Sequence, residues 1–152
     1  MRTEAICQAM GTAAQNVLET MFFTIPEGDA EMVGTGEPTL CAHLKFSGDW
    51  SGEFTVQAPV NAAREIAANF AGALDPAEIS DDKTGEVLSE LANMVCGSTL
   101  GMLDRDKLFD LGSPRVSLES HSSLNMPAAL RAFDLGNGAT IVFSLAGEAV
   151  EA

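Results

Sequence analysis

The residue pattern predicts an α+β fold, an antiparallel β-sheet with long helices packed against it. Three observations carry that reading. Apolar residues recur at i, i+3, i+4 and i+7 in two long stretches, the pattern switches to strict alternation between and after them, and Gly and Pro mark the changes of period. The resulting order of helix, strands, two helices and strands belongs to a sheet with helices on it, not to a βαβ repeat.

The first stretch places Ile6, Met10, Ala13, Ala14, Val17, Leu18 and Met21 along one face, with Thr3 as N-cap, and predicts a helix from about Thr3 to Phe23. Pro26 and Gly28 break it. Leu40, Ala42, Leu44 and Phe46 then alternate with Cys41, His43 and Lys45, and the alternation resumes at Phe54 and Val56 after the Gly48 to Gly52 turn, as two antiparallel strands would require. Pro59 ends the second strand, and Ala62, Ile66, Ala67 and Phe70 form a short helix closing near Gly72. Leu74 to Ile79 connects to a second long helix, which starts at Ser80-Asp81-Asp82 with a capping hydroxyl and two acids near the positive end of the macrodipole, and runs towards Leu103. Beyond Gly112-Ser113-Pro114 lie strands at Arg115 to Glu119, Arg131 to Leu135 and Thr140 to Leu145, the last two flanking the turn Gly136-Asn137-Gly138. No linker or repeat divides the chain, so one domain over residues 1–152 is expected.

Composition limits the function. The 152 residues carry 8 Lys and Arg against 22 Asp and Glu, a formal charge of −14. A surface this acidic, without a basic cluster, repels phosphate backbones and anionic lipids, which excludes nucleic acid and polybasic membrane docking. A hydrophobic content of 46% supplies a core, which disordered acidic chains lack. Cys7, Cys41 and Cys96 are scattered and odd in number, so reduced, mostly buried thiols are expected in place of a disulfide framework or a zinc ligand set. The N-terminus has no apolar run of the signal-peptide kind and no segment approaches a membrane span, so a cytoplasmic location is expected.

The second long helix carries the chemistry. At about 100° per residue, Val87, Leu88, Leu91, Met94 and Val95 take one broad side, while Glu86, Glu90, Asn93 and Gly97 fall within an arc of about 60° on the other. Glu90 and Asn93 are therefore neighbours on one face. The acid suits a cation, and the carboxamide both donates to and accepts from a water. Glutamate on a solvated helix face is ordinary, but Asn costs roughly half a kcal/mol against Ala inside a helix and prefers caps. His43 on the polar side of a strand and His121 in the Ser120 to Ser123 loop have no partners for a catalytic triad and read as surface residues. Asp81 and Asp82 read as dipole complements and not as a metal cluster. Trp50, the only tryptophan, reads equally as a contact surface or as a ring packed on its hairpin.

The segment from Gly85 to Gly97, Gly-Glu-Val-Leu-Ser-Glu-Leu-Ala-Asn-Met-Val-Cys-Gly, resembles the active-site helix of the CheX/CheC family of chemotaxis phosphatases, whose pattern is Asp or Ser, three residues, Glu, two residues, Asn, and Gly shortly after. The likeness extends in order to Gly48 and Gly52, to Pro59 before Ala62, Ile66 and Ala67, to Asp81-Asp82, and to Pro114-Arg115-Val116. Glu86 stands where the family has Asp or Ser, as a possible accessory residue. The first helix offers Gln15, Asn16 and Glu19, but Phe22 occupies the position three after Glu19, so there is no second Glu-x-x-Asn and the pattern is CheX-like.

The resemblance implies a CheC/CheX-like fold and a protein phosphatase acting on the aspartyl phosphate of a CheY-type response regulator. Asn93 would align the attacking water and Glu90 would pair with the regulator's active-site lysine. No cofactor is expected on this chain, Mg2+ being brought by the phosphorylated regulator. A homodimer built by strand pairing is also implied, with Thr39 to Phe46 and Arg115 to Glu119 as edge candidates. The alternative is a non-catalytic interaction module related to flagellar switch proteins.

Overall fold

The computed structural model describes residues 3–31, 38–105, 108–119, 128–147 and 150. His121 and its loop lie outside them.

Helix α1 spans Thr3–Met21 and buries Ile6, Met10, Ala13, Ala14, Val17 and Leu18, the face read from the sequence except for Met21 at its end, which is exposed. Thr3, expected as its cap, is itself helical. The helix stops short of Phe23 because the chain turns there. Phe22 goes inward to stack on Phe70 at 4.8 Å, Phe23 takes a left-handed φ of 52°, and the Thr24 amide donates back to Leu18. Gly28–Asp29 forms the two-residue strand β1.

Strands β2 (Thr39–Ser47) and β3 (Gly52–Pro59) make the expected hairpin, with Ala42 opposite Val56 and Leu44 opposite Phe54. Pro59, which cannot donate to a ladder, is the last strand residue and the cap of α2 (Val60–Ala71). Gly72 closes α2 at φ 72° and ψ 22°, a conformation glycine adopts without a Cβ penalty. A single 3-10 turn, Pro76–Glu78, leads to α3 (Asp81–Leu103). Ser80 caps α3, its hydroxyl accepting from the Lys83 amide at 3.0 Å, which contributes about 1 kcal/mol.

Strands β4 (Asp110–Leu111) and β5 (Arg115–Glu119) both pair with β2, at opposite ends of it, and β6 (Ala128–Gly136) pairs with β7 (Ala139–Gly147) through the expected Gly-Asn-Gly turn. The sheet runs β1-β6-β7-β3-β2-β4, with β5 beside β4 along β2, and every pairing is antiparallel. One of the two expected edges is thereby corrected: β2 is interior, because the 110–119 segment lies along it, and β5 is the edge. Pro114 lacks an amide donor, and the Gly112 to Pro114 break divides that edge in two.

The three helices cover one face of the sheet. Ala42, Leu44 and Phe46 of β2, Phe54 and Val56 of β3, and Ile141, Phe143 and Leu145 of β7 point into a core shared with Ile6, Met10 and Leu18 of α1 and Leu88, Leu91 and Leu100 of α3. Each large side chain buried there is worth roughly 1.5–3 kcal/mol before chain entropy is deducted. The opposite face is more polar at its buried positions, which include Cys41, Thr55 and Ser144.

Candidate functional site

Helix α3 is held along its inner side by Val87, Leu91, Ala92, Val95 and Cys96, all buried against α1 and the sheet. Its outer side is bare. Glu86, Glu90, Asn93 and Gly97 are all exposed, as the helical spacing predicts, and they form one stripe along the helix. The Glu86 carboxylate lies 3.9 Å from the Lys83 ammonium, an exposed i, i+3 pair of little energetic weight. Among the described residues, Glu90 and Asn93 have no hydrogen-bond or ion-pair partner, and both are open to solvent.

Beside the stripe, the ends of α1 and α2 and the middle of α3 enclose a cleft of about 350 Å³ lined by Met21, Phe70, Lys83, Glu86, Val87, Glu90 and Met94. Met21, Phe70, Val87 and Met94 give it an apolar lining, and Lys83, Glu86 and Glu90 a charged one. Phe70 is fixed there by its stacking on Phe22 and by the neighbouring hydrogen bond from the Asn69 amide group to the Thr24 hydroxyl, 3.2 Å. The spacing on α3 gave no sign of this cleft, because Met21 and Phe70 come from two other helices. A larger cleft of about 850 Å³ opens at the far end of the β2–β3 hairpin, where Lys45, Glu53 and Asp110 are the charged residues, and none of the sequence-predicted site residues lines it.

The other residues singled out from the sequence fall elsewhere. Asp81 pairs with Arg64 and ties α3 to α2. Trp50 packs edge-on against Phe46 at 5.2 Å and Phe109 at 5.5 Å, which favours the packed-ring reading. All three cysteines are free thiols, and burial pushes the Cys96 thiol up to about 12. Burial and the adjoining Glu119 carboxylate push Cys41 higher still. His43 departs from the simple surface reading. It is half-buried on the polar face of β2, with Nδ1 3.1 Å from the Thr55 hydroxyl and 3.5 Å from Glu53, and Nε2 3.6 Å from Glu119.

Among the described residues, no helix is long and apolar enough to cross a membrane.

The family model for the chemotaxis phosphatase CheX matches residues 40–133. No curated protein sequence matches the chain. Solved structures do. The chemotaxis protein CheX from Vibrio vulnificus superposes with a TM-score of 0.76 at 16% identity, over 94% of this chain and 96% of that one. A CheX from Desulfovibrio desulfuricans gives 0.71 at 21% identity, over 94% and 99%. A chain of the CheX–CheY–BeF3–Mg2+ complex from Borrelia burgdorferi gives 0.66 at 18% identity, over 91% and 95%. At these identities the likeness is one of fold, and it includes the antiparallel sheet with three helices.

Proposed function

This chain belongs to the CheX family of chemotaxis phosphatases, and from that premise we propose that it hydrolyses the aspartyl phosphate of a CheY-type response regulator. The observation that carries the reading is the unpartnered Glu90 and Asn93, one turn apart on the exposed side of a helix whose other side is locked into the core. A surface carboxylate and carboxamide on a rigid rod suit a reaction whose phosphoryl group and metal both sit on another protein. The relative in complex with CheY, BeF3 and Mg2+ supports the same partner class.

Phosphoryl transfer asks chiefly for positioning and for charge stabilisation. Asn93 reaches into the regulator's phosphorylation site, where its side-chain oxygen accepts a hydrogen bond from the attacking water and its NH2 group donates one to a phosphoryl oxygen. Water adds in line, the P–O bond to the aspartate breaks, and inorganic phosphate leaves as the carboxylate is restored. Glu90 pairs with the regulator's active-site lysine, fixing the angle at which Asn93 enters. Mg2+ comes with the regulator and no residue of this chain is required to hold it. The apolar lining of Met21, Phe70 and Met94 gives the partner a surface to bury beside the polar pair. The protein acts in the cytoplasm, where such regulators work.

The experiment is the decay of phosphorylated regulators from the same genome, with and without this protein. Wild type accelerates decay for its cognate regulator. Asn93→Ala removes the acceleration, a loss of at least about 100-fold, while the far-ultraviolet circular dichroism stays that of wild type. Acceleration that persists in this variant defeats the assignment, and binding without acceleration by wild type points to a non-catalytic docking module instead.

The exposed edge strand β5, with Val116 40% and Leu118 64% accessible, further supports a homodimer formed by pairing β5 with its copy.

A further inference from the structure

On the sheet face turned away from the helices, the geometry points to a site for a divalent transition ion of the zinc class, with Cys41, His43 and Glu119 as ligands. Cys41 and His43 are two apart on β2 and so share a face, and Glu119, paired with Thr39 across the β2–β5 ladder, is on that same face. One donor atom from each of the three lies within 4.8 Å of the others. Zinc bonds of about 2.0–2.3 Å in tetrahedral geometry set donors roughly 3.3–3.8 Å apart, so a donor pair at the outer limit has to draw together by roughly 1–1.5 Å. The His43 Nε2 to Glu119 Oε2 distance is already 3.6 Å.

Two further features favour an ion. The outer nitrogen of His43 is engaged, Nδ1 lying 3.1 Å from the Thr55 hydroxyl and 3.5 Å from Glu53, which orients the ring and leaves Nε2 turned to Glu119. Ligating histidines are held in this way by a second polar partner. Glu119 Oε2 is a buried acceptor without a hydrogen-bond partner among the described residues, a condition that a cation relieves. The donor chemistry selects the metal: sulfur and imidazole suit zinc, whereas magnesium and calcium prefer oxygen alone. On binding, the Cys41 thiol gives its proton to solvent and a metal–sulfur bond replaces the S–H bond. The fourth position is left to water or an outside donor. The ion would pin edge strand β5 to interior strand β2, independently of the phosphatase stripe on α3.

The test is titration of the reduced full chain with Co2+, followed by competition with Zn2+. Expected are a one-to-one endpoint, thiolate-to-cobalt charge transfer in the near ultraviolet, and intense tetrahedral ligand-field bands. Zn2+ at about a hundred times its Kd should raise Tm by about 5 °C or more, and equal Mg2+ should not. Cys41→Ser should abolish the charge-transfer band, whereas Cys7→Ser should keep it. His43→Gln and Glu119→Gln should each weaken binding at least tenfold, and Thr55→Val about tenfold with the spectrum unchanged. Absence of the band in wild type, its survival in Cys41→Ser, or an equal Tm rise with Mg2+ overturns the proposal. If Cys41→Ser fails to fold, unchanged affinity in both His43→Gln and Glu119→Gln overturns it.

Discussion

Residues on the outer stripe of α3 differ in what they are asked to do, and substitutions should separate them. Glu90→Lys reverses a docking charge, so in regulator decay assays it should raise KM and lower kcat together, with a larger loss than Glu90→Ala. Glu86, already beside Lys83 and one turn further from Asn93, should matter least, so Glu86→Ala is expected to stay within a few-fold of wild type. A loss as deep as that of Asn93→Ala would make Glu86 a full member of the site. Phe23 presents a different problem. It is 68% exposed and holds a φ of 52°, where a side chain with a Cβ costs about 1 kcal/mol or more. Phe23→Gly should therefore raise the urea midpoint, by an amount worth about 1 kcal/mol; a lower midpoint would mean that the aromatic ring contributes more contact than the backbone strain costs.

At the scale of elements, the long amphipathic helices and the nine-residue strands were legible because each carries several periods of its own pattern. The Ser80 cap, the Gly72 stop and the Gly-Asn-Gly turn were legible because each depends on local backbone chemistry. Strands β1 and β4 were not, since two residues carry no period and exist only as partners of β6 and β2. The interior position of β2 was missed for a related reason, as pairing with β4 and β5 is a tertiary event. The Glu90–Asn93 pair lies within one helix and could be read from spacing, but the cleft beside it needs the ends of three helices. The Cys41, His43 and Glu119 group depends on strand register and leaves no short-range signature. Register also accounts for one glycine that spacing cannot explain. Gly52 faces Gly147 across the β3–β7 ladder, and a Cβ on Gly52 would collide with the Ala146 carbonyl oxygen. Gly52→Ala should force these strands apart and lower stability by roughly 1–3 kcal/mol, measured by urea denaturation. An unchanged midpoint would show that the hairpin end yields freely.

For the molecule as a whole, the two halves of the proposal lie in different layers: chemistry on the helical layer, self-association on the sheet edge. Leu118→Lys places a charge on the exposed edge strand and should convert a dimer to monomer in light scattering after gel filtration, while leaving regulator decay within a few-fold. A dimer that survives this change would place the contact elsewhere. The acidic excess acquires a sharper meaning in this layout. The charge of −14 excluded nucleic acid, but recognition is assigned to one or two carboxylates on one helix, and most of the rest solvate the surface. The bareness of that stripe reaches beyond biochemistry. Asn93 holds nothing in place, so a duplicated gene could lose it at almost no cost in folding and leave a docking domain, with Glu90 intact, without turnover. Enzyme and scaffold are then neighbours in sequence space, one substitution apart, and descendants of one such chain can be sorted between the two roles by reading the outer face of α3.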